Sequence, residues 1–81
     1  MRIVAQVRIT KSNFHEWKAF FDSYEQERLQ FVCDEIVKKI NDNEAEVSFN
    51  VTDFDGLTAL SGSDAIIAEE ERLGIVTKIL S

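Results

Sequence analysis

The chain has 81 residues, 44% of them hydrophobic and 30% charged, a balance that excludes a disordered tail or a fibre and sets the expectation of a single domain over 1–81. Nine Lys and Arg against fifteen Asp and Glu leave a net charge of -6, the wrong sign for binding nucleic acid or an anionic membrane surface. A monomer of this size removes only about 60–65% of its unfolded surface from water, so oligomerisation is a natural route to stability.

The opening stretch Arg2-Ile3-Val4-Ala5-Gln6-Val7-Arg8-Ile9 is broken by charge and is neither a signal core nor a membrane span, which makes a cytoplasmic address the expectation. Its alternation sets Ile3, Ala5, Val7 and Ile9 on one side and Arg2, Val4, Gln6 and Arg8 on the other, the pattern of a strand with one buried face. Thr10 to Asn13 supply a turn, and Asn13 with Glu16 three residues on has the spacing of a capping box. A helix is expected to start there.

Along that helix Phe14, Trp17, Phe20, Phe21 and Tyr24 recur at three- and four-residue spacing, which confines them to an arc of roughly 120°. Its end is open to two readings. Leu29, Val32, Cys33, Ile36, Val37 and Ile40 fit a helical period, so one long helix or two in succession would reach residue 40. The Val, Ile and Phe density of 31–40 and the turn-forming Asn41-Asp42-Asn43-Glu44 favour instead a hairpin, with strands near 32–40 and 45–52 and a four-residue loop. Cys33, the one cysteine, excludes an intrachain disulfide. Because Asp34 and Glu35 deny it an electropositive setting, its expected place is that of a small buried hydrophobe.

Asp53 precedes a short helical or irregular segment, Phe54 to Leu60, interrupted by Ser61-Gly62-Ser63. A second helix is expected from Asp64 or Ala65 through Leu73, with Gly74 as a left-handed C-cap, and Ile75 to Leu80 close the chain as a strand. The run Glu69-Glu70-Glu71 reads as a solvated helix face.

The opening strand 2–9, the helix entry Asn13-Phe14-His15-Glu16-Trp17 with Phe20-Phe21-Asp22-Ser23, the hairpin at 41–44 and the broken second helix 54–74 together describe an α+β chain of order βαββαβ. In this the chain resembles the dimeric α+β-barrel group of ferredoxin-like proteins along nearly its whole length. The resemblance implies a four-stranded antiparallel sheet with helices on one face, and a homodimer in which two such sheets face each other. It also implies a pocket between sheet and helices for an apolar or aromatic molecule, in a group that includes small oxygenases, haem-degrading enzymes and stress-response proteins. The face left for pairing is polar, and cross-strand contacts such as Arg8 with Glu46, or Val4, Val76 and Leu80 at its centre, are its means of association.

The common mechanistic motifs are absent: no phosphate loop, nucleophile elbow, Cys-x-x-Cys pair or His-Glu-x-x-His helix. The lone His15 removes any two-imidazole site, and its plain reading is a partly exposed first-turn residue. Neither a metal nor a cofactor is expected, and no catalytic residue is assigned. Trp17, Asn50 and His15, the types used by the enzymatic relatives, conflict with strand geometry as a single site. The aromatic stripe is core by default. Opposite Phe49 and Phe54 it can also leave a gap, giving a ligand box of Phe14, Trp17, Phe20, Phe21, Tyr24, Phe49, Phe54 and His15 for a fatty-acid-like or aromatic molecule. Two alternatives are a small monooxygenase-like or haem-degrading-like enzyme and a regulatory or structural dimer that meets a basic protein partner.

Overall fold

The computed structural model describes residues 2–80; Met1 and Ser81, the ends of the expected 1–81 domain, lie outside the described residues. In chain order the elements are β1 (Arg2–Ile9), α1 (Phe14–Ser23), α2 (Glu25–Arg28), β2 (Val32–Asn41), β3 (Glu44–Val51), α3 (Phe54–Ser61), α4 (Asp64–Leu73) and β4 (Ile75–Ile79). The strands form one antiparallel sheet in the order β2-β3-β1-β4. The fold of the described residues is thus α+β, with four strands and four helices.

Strand alternation divides the sheet into two faces. Ala5, Val7 and Ile9 of β1 pair with Val47 and Ala45 of β3 and with Ile79, Thr77 and Ile75 of β4. This face is covered by Trp17, Phe20 and Phe21 of α1 and Ile66 and Leu73 of α4, which complete the buried core. On the other face stand Arg2, Val4, Gln6, Arg8, Glu44, Glu46, Ser48, Asn50, Val76 and Lys78. The register sets Glu44 opposite Arg8, and Glu46 opposite Gln6, which corrects the expected pairing of Arg8 with Glu46.

The start of α1 is capped by Asn13, whose side-chain oxygen accepts from the Glu16 backbone N–H at 2.9 Å. Only this half of the capping box forms, because the Glu16 carboxylate takes the Ser12 hydroxyl instead. The helix stops at Tyr24, where the backbone turns to φ −120° and ψ 27°. There the Ser23 hydroxyl donates to the Phe20 carbonyl at 2.5 Å and competes with the helical ladder. After the single turn of α2 the chain enters the sheet, so the reading of a helix running to residue 40 is overturned by ten residues of strand.

The hairpin between β2 and β3 is tighter than the expected four-residue loop, with Asp42 and Asn43 alone between the strands. Its tip fastens the end of β1 to the start of α1. The Asn43 side-chain amide donates to the carbonyls of Ile9 at 3.0 Å and Ser12 at 2.9 Å, and the Phe14 N–H reaches the Asp42 carbonyl at 2.5 Å.

Cys33 departs from expectation: it is exposed. It pairs with Asn50 on the face that no helix covers, one residue after the buried Val32. The register then shifts between Cys33 and Ile36, with Asp34 at φ 53° in the left-handed region, held by the Arg2 guanidinium and the Asn50 amide. At the far end of α4, Gly74 adopts φ 69° as the expected C-cap. Its carbonyl accepts from the Thr10 hydroxyl at 2.7 Å and the Thr10 N–H at 2.9 Å, which ties the entry of β4 to the exit of β1.

Candidate functional site

Between the helices and the covered face of the sheet lies a cavity of about 370 Å³. Its floor is formed by Ile3, Ala5 and Val7 of β1, Val47 and Phe49 of β3, and Ile75, Thr77 and Ile79 of β4. Its roof is Trp17, Phe20, Phe21 and Tyr24, and α3 and α4 contribute Leu57, Leu60, Ser61 and Glu70. The volume falls in the lower part of the range for small-molecule sites, roughly 300–1,000 Å³. Ile79 is 58% exposed on the edge strand β4, which leaves the cavity open to solvent on that side.

The gap follows from the shapes of the rings above it. Trp17 stacks on Phe21 with centroids 4.9 Å apart, and Phe20 and Phe21 contact Tyr24 at 5.1 and 5.9 Å. Rigid rings packed on one another along the helix cannot also bend down to fill the space over the floor, where Ala5 contributes only a methyl. The helix break at Gly62 and Ser63 sets α3 at the side of this hollow, so that Leu57 and Leu60 wall it without closing it.

Five of the eight expected ligand residues therefore line one cavity: Trp17, Phe20, Phe21, Tyr24 and Phe49. The other three stand elsewhere. Phe14 packs against Trp17 at 5.7 Å on the outer side of the core, with the Lys39 ammonium 5.5 Å from its ring. His15 is exposed on the first turn of α1. Phe54 opens α3 and is 57% exposed, on a helix with no buried residue. Asn50 is directed to the opposite face, where its amide donates to Asp34 at 3.2 Å. Trp17, His15 and Asn50 are not assembled in one place.

Beside Tyr24, the polar wall of the cavity holds Arg28, which is not among the expected ligand residues. Arg28 is only 3% exposed. Its Nε and Nη2 donate to the two carboxylate oxygens of Glu35 at 2.6 and 2.9 Å, and its Nη1 donates to the Phe21 carbonyl at 2.7 Å. The guanidinium plane lies 3.6 Å from the Phe21 ring centroid and 5.0 Å from that of Tyr24. A signal for it existed: Phe21, Tyr24 and Arg28 continue the i, i+3, i+7 stripe of the aromatic helix. Burial pushes the Tyr24 phenol up from 10 to about 12, an effect that the adjacent Arg28 charge partly opposes.

Glu70 corrects the reading of 69–71 as a uniformly solvated face. Glu69 pairs with Arg72 at 2.8 Å and Glu71 is exposed, but Glu70 is half-buried against the cavity, and that burial raises its carboxyl pKa. Among the described residues it has no ion-pair partner. A second, larger groove of about 580 Å³ runs between α1 and α4, but it lies open on the outer surface beside Glu16, Glu69 and Arg72. Among the described residues no three His, Cys, Asp or Glu side chains gather as metal ligands would, and no helix is long and apolar enough to cross a membrane.

No family model matches the chain, and no curated protein or solved structure matches it either.

Proposed function

We propose that this chain is a ferredoxin-like domain that pairs as a homodimer and binds a small apolar molecule between its helices and its sheet, without transforming it. The observation that carries the reading is the cavity of about 370 Å³ with aromatic rings for a roof and aliphatic side chains for a floor. An apolar guest there would replace poorly packed surface with van der Waals contact on all sides. Tyr24, Ser61, Thr77 and Glu70 supply the few polar atoms that orient a guest.

Pairing through the uncovered face of the sheet is supported by its composition. Val4 stands among the exposed Val76 and Leu80 and, two strands away, Ile36, while Arg2, Arg8 and Lys78 share the face with Glu44 and Glu46. Among the described residues none of these five charged side chains is in an ion pair within the chain. A two-fold axis sets residue i against j and j against i, so a face carrying unpaired charges of both signs suits a second copy of itself.

Native mass spectrometry on gently purified protein tests both parts. A dimer carrying an additional small mass supports the reading. A bare monomer that stays bare and monomeric at high protein concentration, with a panel of neutral apolar compounds added, overturns it.

A further inference from the structure

The charges on the cavity wall are unevenly matched. Among the described residues Arg28 is the only cation lining the cavity, and both oxygens of Glu35 hold it at 2.6 and 2.9 Å while the Phe21 carbonyl takes a third N–H. That pair is neutral as a unit, and three of the five guanidinium N–H groups are already engaged. Glu70 lines the same cavity from α4, half out of water. The groups that face it from the packed elements are the Tyr24 phenol at the end of α1 and, beyond it, the Arg28–Glu35 pair; on α4 itself Glu69 is engaged by Arg72, and Glu71 is exposed.

We infer that the guest of this cavity is an apolar chain or ring ended by an amine or a hydroxyl, whose donor meets the Glu70 carboxylate, and not a carboxylic acid. The inference rests on the cavity being a ligand site and specifies which end chemistry that site selects. An ammonium beside Glu70 supplies the counter-charge that the fold withholds, and a hydroxyl supplies a neutral donor. A carboxylate in the same place would set two like charges together in a partly desolvated site, with the Arg28 guanidinium already held by Glu35. Burial raises the Glu70 pKa, as is expected of a carboxylate that lacks a cation.

The test uses three straight chains of equal length that differ only in their end group: decylamine, decanol and decanoate, each below its micellar concentration. Binding is followed by the emission of Trp17, the only tryptophan, which lines the cavity. At neutral pH the amine is expected to bind about tenfold or more tightly than the acid, the scale of one charge contact in a partly desolvated site. The variant Glu70→Gln should bring the amine down to the level of the alcohol. Glu71→Gln, which removes the same charge from a neighbouring exposed position, should keep the preference and so separates Glu70 from the general acidity of the chain. Decanoate binding as tightly as decylamine, or Glu71→Gln erasing the preference as fully as Glu70→Gln, overturns the inference while leaving the cavity a ligand site. Failure of all three chains to bind overturns the ligand site itself and the inference with it.

Discussion

Arg28 and Glu35, seven residues apart, form a two-pronged ion pair at 2.6 and 2.9 Å beneath the aromatic roof, with Arg28 almost wholly removed from water. The pair fastens the turn after α1 to β2 and fixes the end of the cavity. Arg28, at the end of α2, lies 3.6 Å from the centroid of the Phe21 ring on α1, so the pair also ties the two helices together.

Removing one partner leaves the other charged and buried, so Glu35→Ala is expected to lower stability by about 3–5 kcal/mol. The double variant Arg28→Met with Glu35→Leu, which leaves no orphaned charge, should lose much less. Urea denaturation followed by far-UV circular dichroism compares the two. A double variant at least as unstable as Glu35→Ala would mean that the pair's hydrogen bonds, including that to the Phe21 carbonyl, matter more than the orphaned charge.

Tyr24 is the only tyrosine, so phenolate absorbance follows it alone. The midpoint is expected near 12 in the folded protein against 10 in the unfolded chain. The folded state therefore holds this proton more tightly, and stability is unaffected by Tyr24 below pH 10 but falls as the pH rises from 10 towards about 12. Titration with a midpoint at 10 in protein shown to be folded would place the ring in water.

Glu70 has the same sign at lower pH. With its folded pKa raised above the ordinary carboxylate value, both states are protonated in acid, and stability falls once the pH passes the unfolded value and the unfolded chain ionises first. The decline ends above the raised folded value. Glu70→Gln should remove this decline and melt higher than the parent at neutral pH, with the two converging in acid. A variant that melts lower at neutral pH would mean that Glu70 is satisfied by a contact in the folded protein.

Gly74 combines φ 69° with close surroundings, since a Cβ there would come within 2.7 Å of the Lys11 backbone nitrogen and also meet the Thr10 hydroxyl. Gly74→Ala should cost about 1–2 kcal/mol or more through left-handed strain and displacement of the β1 exit. Chemical denaturation measures it, and a neutral effect would contradict the tight junction between α4 and β4.

Where local pattern and tertiary role coincide, the elements could be read directly from the residues. The alternation of 2–9, the Asn13 cap, the Phe49-containing strand and the Gly74 stop each have one physical meaning, and each is found in place. The aromatic stripe also led to the roof of the cavity, because 3.6-residue periodicity fixes which rings share a face. Three features depended on contacts distant in sequence. The bulge after Cys33 turns that thiol outward through pairing with β3, which nothing in 31–36 encodes locally. Arg28 stands in the stripe, but its burial depends on Glu35 from a segment whose secondary structure was itself open. Glu70 differs from Glu69 and Glu71 only in facing the cavity, and identical residues in a row carry no sign of which one is inward.

The central claim is that the space beneath Trp17 admits a guest, and filling that space tests it most directly. Nile red, a neutral apolar dye, is titrated into the parent and into Leu60→Trp, which sets a bulky ring against the cavity from α3. The expected result is saturable binding to the parent, reported by dye emission and by energy transfer from Trp17, and loss of that binding in the filled variant with the fold retained by circular dichroism. Equal binding to both proteins, or none to the parent, would contradict the account.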